Sequence, residues 1–369
     1  MPRFGILLLL MCGCGSPTKP EPLYLGHLAA TDQNDSELHG VAMAVDELNA
    51  DAEQRPLGRR ILAIHAEVSS NPADYESQSV RLGTVNRVSA LLGGSTASRS
   101  ERVSRADQSD QLPFFSTAGW SGSRFNSAVF HLGLDPAQQG IALARYARDS
   151  LNVTRVCALV DSREPIFAEQ FNAFRNEWQK KDTAFLREVQ YATVDSRSEL
   201  AHKVSSTNPT AVLIAGRAVD VAELRANLTE AGVKADVPIL FASEELDLLA
   251  LKLSPEPSEG IITTTAFVAD LERESVQAFV KKHREKYHSE PNALTALSYE
   301  GVRMWSAAVK SSQLTELKKI RDELLKSPGL DVLTGTLTFT KEHQARRPVF
   351  IVRIEKGVAK RVHTFEKLD

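Results

Sequence analysis

Between Leu23 and Glu67 the chain changes its hydrophobic period twice, and that change restricts the fold more than any other feature. Leu23–Leu28 is a short apolar run ending near turn formers. Gly40–Asn49 then carries apolar residues at 41, 44, 45 and 48 and polar ones at 46, 47 and 49, the spacing of a helix with one dry face. Ile61–Glu67 is a second apolar run. A strand, a helix and a strand in that order predict a parallel pair, since parallel neighbours need a crossover and a helix is its usual form.

The unit recurs. Val88–Leu92 reads as a strand running into Gly93-Gly94, followed by a polar helix pattern over Ser98–Gln108, then Pro113-Phe114-Phe115 and a short strand at Val129–Leu132. Asp135–Ser150 is a helix, with Asp135 as N-cap and Pro136 at its first position. A new series starts at Arg155. Val156–Val160, Phe185–Tyr191, Ala211–Ala215 and Pro238–Phe241 are strands, and Ile166–Lys180, Glu199–Ser205 and Val219–Ala231 are the helices between them. Two such series predict two α/β lobes with parallel-rich sheets and helices on both faces. Beyond Gly260 the pattern is mainly helical, over Leu271–Tyr287, Ala293–Lys310 and Leu314–Leu325. It ends in strands at Leu333–Phe339 and Val349–Glu355, the latter hairpinned through Gly357 to Val358–His363. A helical tail after two complete lobes predicts a chain that returns to the first lobe before finishing in the second.

The first residues read separately. Arg3 and the apolar Ile6–Met11 segment, too short to span a bilayer, lead into Met11-Cys12-Gly13-Cys14. This resembles a lipoprotein leader cut before Cys14, because a cut before Cys12 would put bulky Met11 at the preceding site. An ordinary secretory signal is the alternative. Ser16–Pro22, with three prolines, reads as a tether. Of the three cysteines, processing leaves Cys14 to be lipidated and Cys157, inside the apolar Val153–Val160 run, as a buried thiol. A net charge of −3 without a basic cluster argues against nucleic acid as a partner. The nine histidines show no metal spacing, and there is no P-loop, no G-x-S-x-G elbow and no complete dinucleotide fingerprint, so neither cofactor, metal site nor enzyme is expected. His27 and His65 lie in apparent strands and read as core-edge residues.

Motifs in order along the chain resemble the branched-chain amino-acid-binding protein family, the type I periplasmic solute receptors of ABC importers. Gly40–Asn49 with Leu57-Gly58-Arg59-Arg60 resembles its opening helix and turn, and Leu134–Gly140 its P-S-D-x-x-Q-G crossing segment. Arg273–Pro291, Ser298–Val302, Thr334–Phe339 and Arg347–Arg353 resemble its later motifs. The resemblance implies a type I periplasmic-binding-protein fold of two Rossmann-like lobes joined by three crossovers, near 135–140, 262–268 and 340–347. On that plan residues 1–13 are the signal peptide and 14–22 the tether. Residues 23–136 and 267–341 form lobe one, and 137–266 with 346–369 lobe two. It further implies a ligand held between the lobes and favouring their closure.

The ligand positions carry over residue by residue. Gly93–Ser98 matches the loop whose hydroxyl and amides hold a ligand carboxylate in amino-acid-binding relatives; its serine pair falls on Thr96 and Ala97, with Ser98 next to them. Thr96 or Ser98 serves equally well as a plain helix cap. In Ser116–Trp120 the family's next contacts fall on Ala118 and Trp120, where an indole, a single N–H donor, cannot replace a hydroxyl. Trp120 can stack on a ligand, plug the cleft or be an ordinary core aromatic. Arg163 and Arg217 stand where relatives have tyrosines, which suggests either an anion site or exposed charge. Glu244 matches the acid that pairs the ligand ammonium, with Glu245 beside it, and both also suit the first turn of a helix. Asp32, Gln33 and Asn34 are polar candidates in the loop over the cleft. The resemblance implies a lipid-anchored solute-binding protein on the periplasmic face of the envelope, delivering an amino acid or analogue to an ABC permease. A ligand-sensing receptor, or a ligand-free envelope lipoprotein using the fold for protein contact, are the alternatives.

Overall fold

The computed structural model describes residues 20–106, 111–120, 122, 125–180, 185–192, 196–253, 255–326 and 329–368. The expected leader and Cys14 lie outside them. The opening unit folds as β1 (Leu23–Ala30), α1 (Ser36–Ala50) and β2 (Ile61–Val68), followed by α2 (Pro72–Thr84), β3 (Ala90–Gly93), α3 (Ala97–Arg105), β4 (Phe114–Ser116) and β5 (Val129–His131). These strands make one five-stranded sheet in the order β2-β1-β3-β4-β5, and every pair is parallel. His27 and His65 are register partners on β1 and β2, their Nδ1 atoms 2.9 Å apart.

The chain then crosses over through α4 (Pro136–Asp149), whose start is fixed as the sequence dictates: Asp135 accepts the Ala137 N–H at 2.8 Å and Pro136 occupies the first turn. The second series is β6 (Arg155–Asp161), α5 (Pro165–Trp178), β7 (Phe185–Tyr191), α6 (Arg197–Ser205), β8 (Ala211–Ala215), α7 (Ala218–Glu230), β9 (Ile239–Ala242), α8 (Glu245–Leu253), α9 (Pro255–Ser258) and β10 (Ile262–Thr265). The helices α10 (Glu274–Tyr287), α11 (Ala293–Ser312) and α12 (Leu317–Leu324) follow, then β11 (Leu330–Val332), β12 (Gly335–Phe339), β13 (Ala345–Arg346), β14 (Val349–Glu355) and β15 (Val358–Phe365). The second sheet has seven strands in the order β15-β14-β10-β9-β8-β6-β7, parallel through its middle and antiparallel at β14 and β15. Cys157 is fully buried in it, on β6.

The late helices return to the first lobe. Helix α11 lies against α1 so closely that a Cβ on Gly40 would sit 2.2 Å from both Ser298 Oγ and the Thr295 carbonyl. Tyr299 Oη donates to Glu47 at 2.6 Å across the same interface. The β14–β15 hairpin then completes the second sheet, turning through Lys356 and Gly357 at φ 52° and 74°, the left-handed pair that a two-residue hairpin needs. Glycine at 357 meets that demand without strain. The expected strand over 333–339 starts later, as β12 at Gly335, because Leu333-Thr334 makes the two-residue turn that joins it to β11, with Gly335 at φ 140° opposite Val332.

Connections between the lobes are tied by side chains. Gln344 Nε2 donates to the Gly133 carbonyl at 2.8 Å, and Arg347 Nη1 to the Leu132 carbonyl at 3.2 Å. Gln139 Oε1 accepts from Gln170 at 3.0 Å and from Thr264 at 3.2 Å. The crossing segments are thereby held by buried polar contacts.

Candidate functional site

The carboxyl ends of the parallel strands in both sheets carry the loops that meet between the lobes, the position where open α/β sheets bind ligands. From the first lobe comes the turn after β3. Gly93 and Gly94 take φ of 130° and 72°, and a Cβ on Gly93 would approach the Leu28 carbonyl to 2.8 Å. This turn delivers Ser95 and Thr96 to the start of α3. Thr96 caps the helix, accepting the Arg99 N–H at 3.3 Å, and its hydroxyl lies 3.2 Å from that of Ser98. Arg99 is only 4% exposed; it pairs with Asp32 through both guanidinium nitrogens and donates to Ser95 Oγ at 3.0 Å. Gln33 also donates to Ser95 Oγ.

From the second lobe comes the end of β9, where Ser243 and Glu244 precede α8. Glu244 Oε1 accepts the backbone N–H of Ala97 at 2.5 Å, so a carboxylate of one lobe sits on the helix N-terminus of the other. Its second oxygen is 3.1 Å from Arg217 Nη1. Arg217 follows β8 and faces three carboxylates: Glu244, Asp247 at 3.5 Å and Glu164 at 3.8 Å. Asp247 is held by the Ala218 N–H at 2.9 Å. Burial pushes the Glu244 carboxyl up to about 8; Arg217 and the Ala97 N–H oppose that rise, while Asp247 and Glu164 add to it. Asp247 and Glu164 are likewise raised by burial, against Arg217. Burial also raises Glu245 to about 7, although it accepts from the Ala266 N–H and the Thr265 hydroxyl.

The structure thus brings Thr96, Ala97, Ser98, Arg217 and Glu244 together. Ala118 is buried, and its N–H donates to Ser116 Oγ at 3.2 Å. Trp120 is half-buried rather than a core aromatic, and its backbone N–H donates to Gln344 Oε1 at 2.6 Å, beside the hinge. Arg163 grips Asp161 and Asp220, and Asp220 also takes Arg197 at 3.0 Å. Its guanidinium is therefore engaged by two carboxylates and differs from the open anion receptor suggested by tyrosine replacement.

Sequence reasoning passed over Asp247, Arg99 and Glu164. One signal was available: Asp247 is three residues from Glu244, on the same side of a helix start. The arginine of α3 looked like one more residue of a polar helix, and its partner Asp32 is 67 residues away.

This set holds carboxylates, guanidiniums, hydroxyls and a helix N-terminus, which are groups for binding a small polar molecule. The family model described as periplasmic binding protein matches residues 28–359, and the chain belongs to that family, with the type I two-lobed fold. It is a binding-protein family, not an enzyme family. Among solved structures, the chain is similar to a leucine-binding protein, LivK, from Thermotoga maritima at 19% identity, covering 93% of this chain and 99% of that one with a TM-score of 0.79. It is also similar to the branched-chain amino-acid transporter substrate-binding protein LivJ of Streptococcus pneumoniae in complex with isoleucine, at 20% identity, 94% and 100% coverage and a TM-score of 0.79. A third is an ABC-transporter solute-binding protein from Rhodopseudomonas palustris in complex with benzoate, at 14% identity, 94% and 97% coverage and a TM-score of 0.73. No curated protein sequence matches the chain.

Proposed function

We propose that the chain is the extracytoplasmic solute-binding component of an ABC importer, closing two hinged lobes on a small solute, an amino acid or analogue. The buried polar meeting of Ala97 with Glu244 and Arg217 carries this reading, because a cleft built from both lobes binds best when closed. Membership of the periplasmic binding protein family supports it. The leucine-binding, isoleucine-bound and benzoate-bound relatives make small carboxylates and amino acids reasonable first solutes to try. We assign the first lobe to 23–136 and 267–341 and the second to 137–266 and 346–369, with an ABC permease as the partner that receives the solute.

Cys14 is proposed as a lipid anchor holding the protein to the membrane at the periplasmic face. Labelling cells with an alkyne fatty acid should mark the wild type and not Cys14→Ser; equal labelling would refute the anchor. Solute binding is tested by thermal shift on the full chain in mild detergent, against amino acids, amines, amides and carboxylates. A solute at 100 times its Kd should stabilise by about 2.7 kcal/mol. If no compound raises the Tm, the transport reading gives way to the envelope-scaffold one.

A further inference from the structure

A helix N-terminus facing a cleft is an anion position by geometry alone, since its first N–H groups lack intrahelical acceptors. In this protein the opposite lobe already fills it. Glu244 takes the Ala97 N–H at 2.5 Å with one oxygen and Arg217 at 3.1 Å with the other. Those are the partners a solute carboxylate would need, one helix terminus and one guanidinium. Thr96 is committed to capping Arg99, and Arg99 to Asp32 and Ser95. A carboxylate entering here would find these donors engaged.

The charge balance runs the other way. Asp32, Glu164, Glu244 and Asp247 are four carboxylates around Arg99 and Arg217; three of the four form their ion pairs with Arg217, while Arg163 also acts on Glu164 and Arg99 on Asp247 at longer range. A second observation comes from Asp247, which is 4% exposed. Its Oδ1 has the Ala218 N–H and Arg217, whereas Oδ2 is buried without a hydrogen-bond partner. A buried carboxylate oxygen beside a shared guanidinium lacks a donor, and the donor it best accommodates carries positive charge.

We propose that Glu244 is a built-in occupant of the α3 anion position, and that the solute taken beside it is a small organic cation without a carboxylate, an amine or guanidine whose N–H completes Asp247. The proposal rests on the solute-binding reading and narrows its solute class. It inverts the simplest expectation for the fold, in which the solute brings the carboxylate and the protein the donors.

Calorimetric titration of the full chain in mild detergent decides it, with isoamylamine, putrescine and agmatine as amine and guanidine probes and leucine, isoleucine and benzoate as carboxylates. The wild type should bind one of the cations at least about tenfold more tightly than any carboxylate. Asp247→Asn should weaken that cation by about tenfold or more, while Glu244→Ala, which frees α3 and Arg217, should gain affinity for carboxylates. The wild-type ranking needs no variant, so a variant that fails to fold leaves the decision intact. Leucine or benzoate binding the wild type as tightly as the cations overturns the proposal while solute binding stands. Cation affinity indifferent to a folded Asp247→Asn overturns it too. If neither class binds, both readings fall together.

Discussion

Arg347, where the chain re-enters the second lobe, places its Nη2 2.9 Å from Glu300 of α11, and both side chains are almost wholly buried. The carboxylate also accepts the Leu333 N–H at 3.0 Å, and the guanidinium reaches the Thr334 hydroxyl at 3.0 Å and the Leu132 carbonyl at 3.2 Å. Helix, turn and crossing strand are thus fastened at one point. A buried pair of this kind is costly to break from one side, because the survivor keeps its charge without compensation. Glu300→Ala should lower unfolding free energy by about 3–5 kcal/mol in urea titration. The double variant Glu300→Leu with Arg347→Met should recover most of that loss, and a double variant as unstable as the single one would contradict this account.

Glu244 sets a pH dependence with a definite sign. Its carboxyl is raised to about 8 in the folded protein, and Glu245 and Glu169 to about 7, burial leading in each case. Groups raised on folding contribute stability that is complete below their unfolded pKa of about 4.3 and is lost as pH climbs through the folded value. The groups around Glu244 are Arg217, Asp247 and Glu164 of its own lobe and Ala97, Arg99 and Asp32 of the other. Burial lowers His65 to about 4 and His131 to about 3, and lowers His39, His283 and His343 as well, so these imidazoles act in the opposite sense as pH climbs through their unfolded value of about 6.5 and are neutral in both states about one unit above it. Between about pH 7.5 and 9 the Tm of the solute-free protein should therefore fall, by about 2–4 °C per kcal/mol lost. Glu244→Gln should flatten the fall; an identical slope in that variant would assign the titration to other groups.

The alternation of strands and helices was legible because each element carries its own period, and α4 even shows its cap and first-turn proline. Helix α2 was not. It buries only Tyr75, Ser79 and Leu82, too thin an apolar stripe to stand out from a polar segment. The site was legible in part. Glu244 and Ala97 were each singled out, but as ligand contacts, and their direct hydrogen bond joins residues 147 apart in the chain. No local pattern encodes such a pairing. Arg163 is the instructive case: replacing a tyrosine with arginine suggests a new anion site only while the nearby carboxylates are unknown. Asp220, which helps hold it, lies 57 residues on, after two further strands.

Gly40 is the opening helix's most exacting position, and its variant separates packing from propensity. In an isolated helix alanine is favoured over glycine by about 1 kcal/mol, so Gly40→Ala judged on α1 alone should stabilise. The neighbouring helix reverses that sign. A Cβ there would lie 2.2 Å from both Ser298 Oγ and the Thr295 carbonyl, and 3.0 Å from the Tyr299 nitrogen. Two of those atoms are backbone, so relief requires α1 and α11 to move apart, which also strains the Tyr299–Glu47 hydrogen bond. Overpacking of this kind costs about 1–3 kcal/mol. Chemical denaturation should show Gly40→Ala destabilised by that amount, with an unchanged slope against denaturant. A stabilised variant would mean that the two helices do not approach as closely as described, and the return of the late helices to the first lobe would need another contact to hold it.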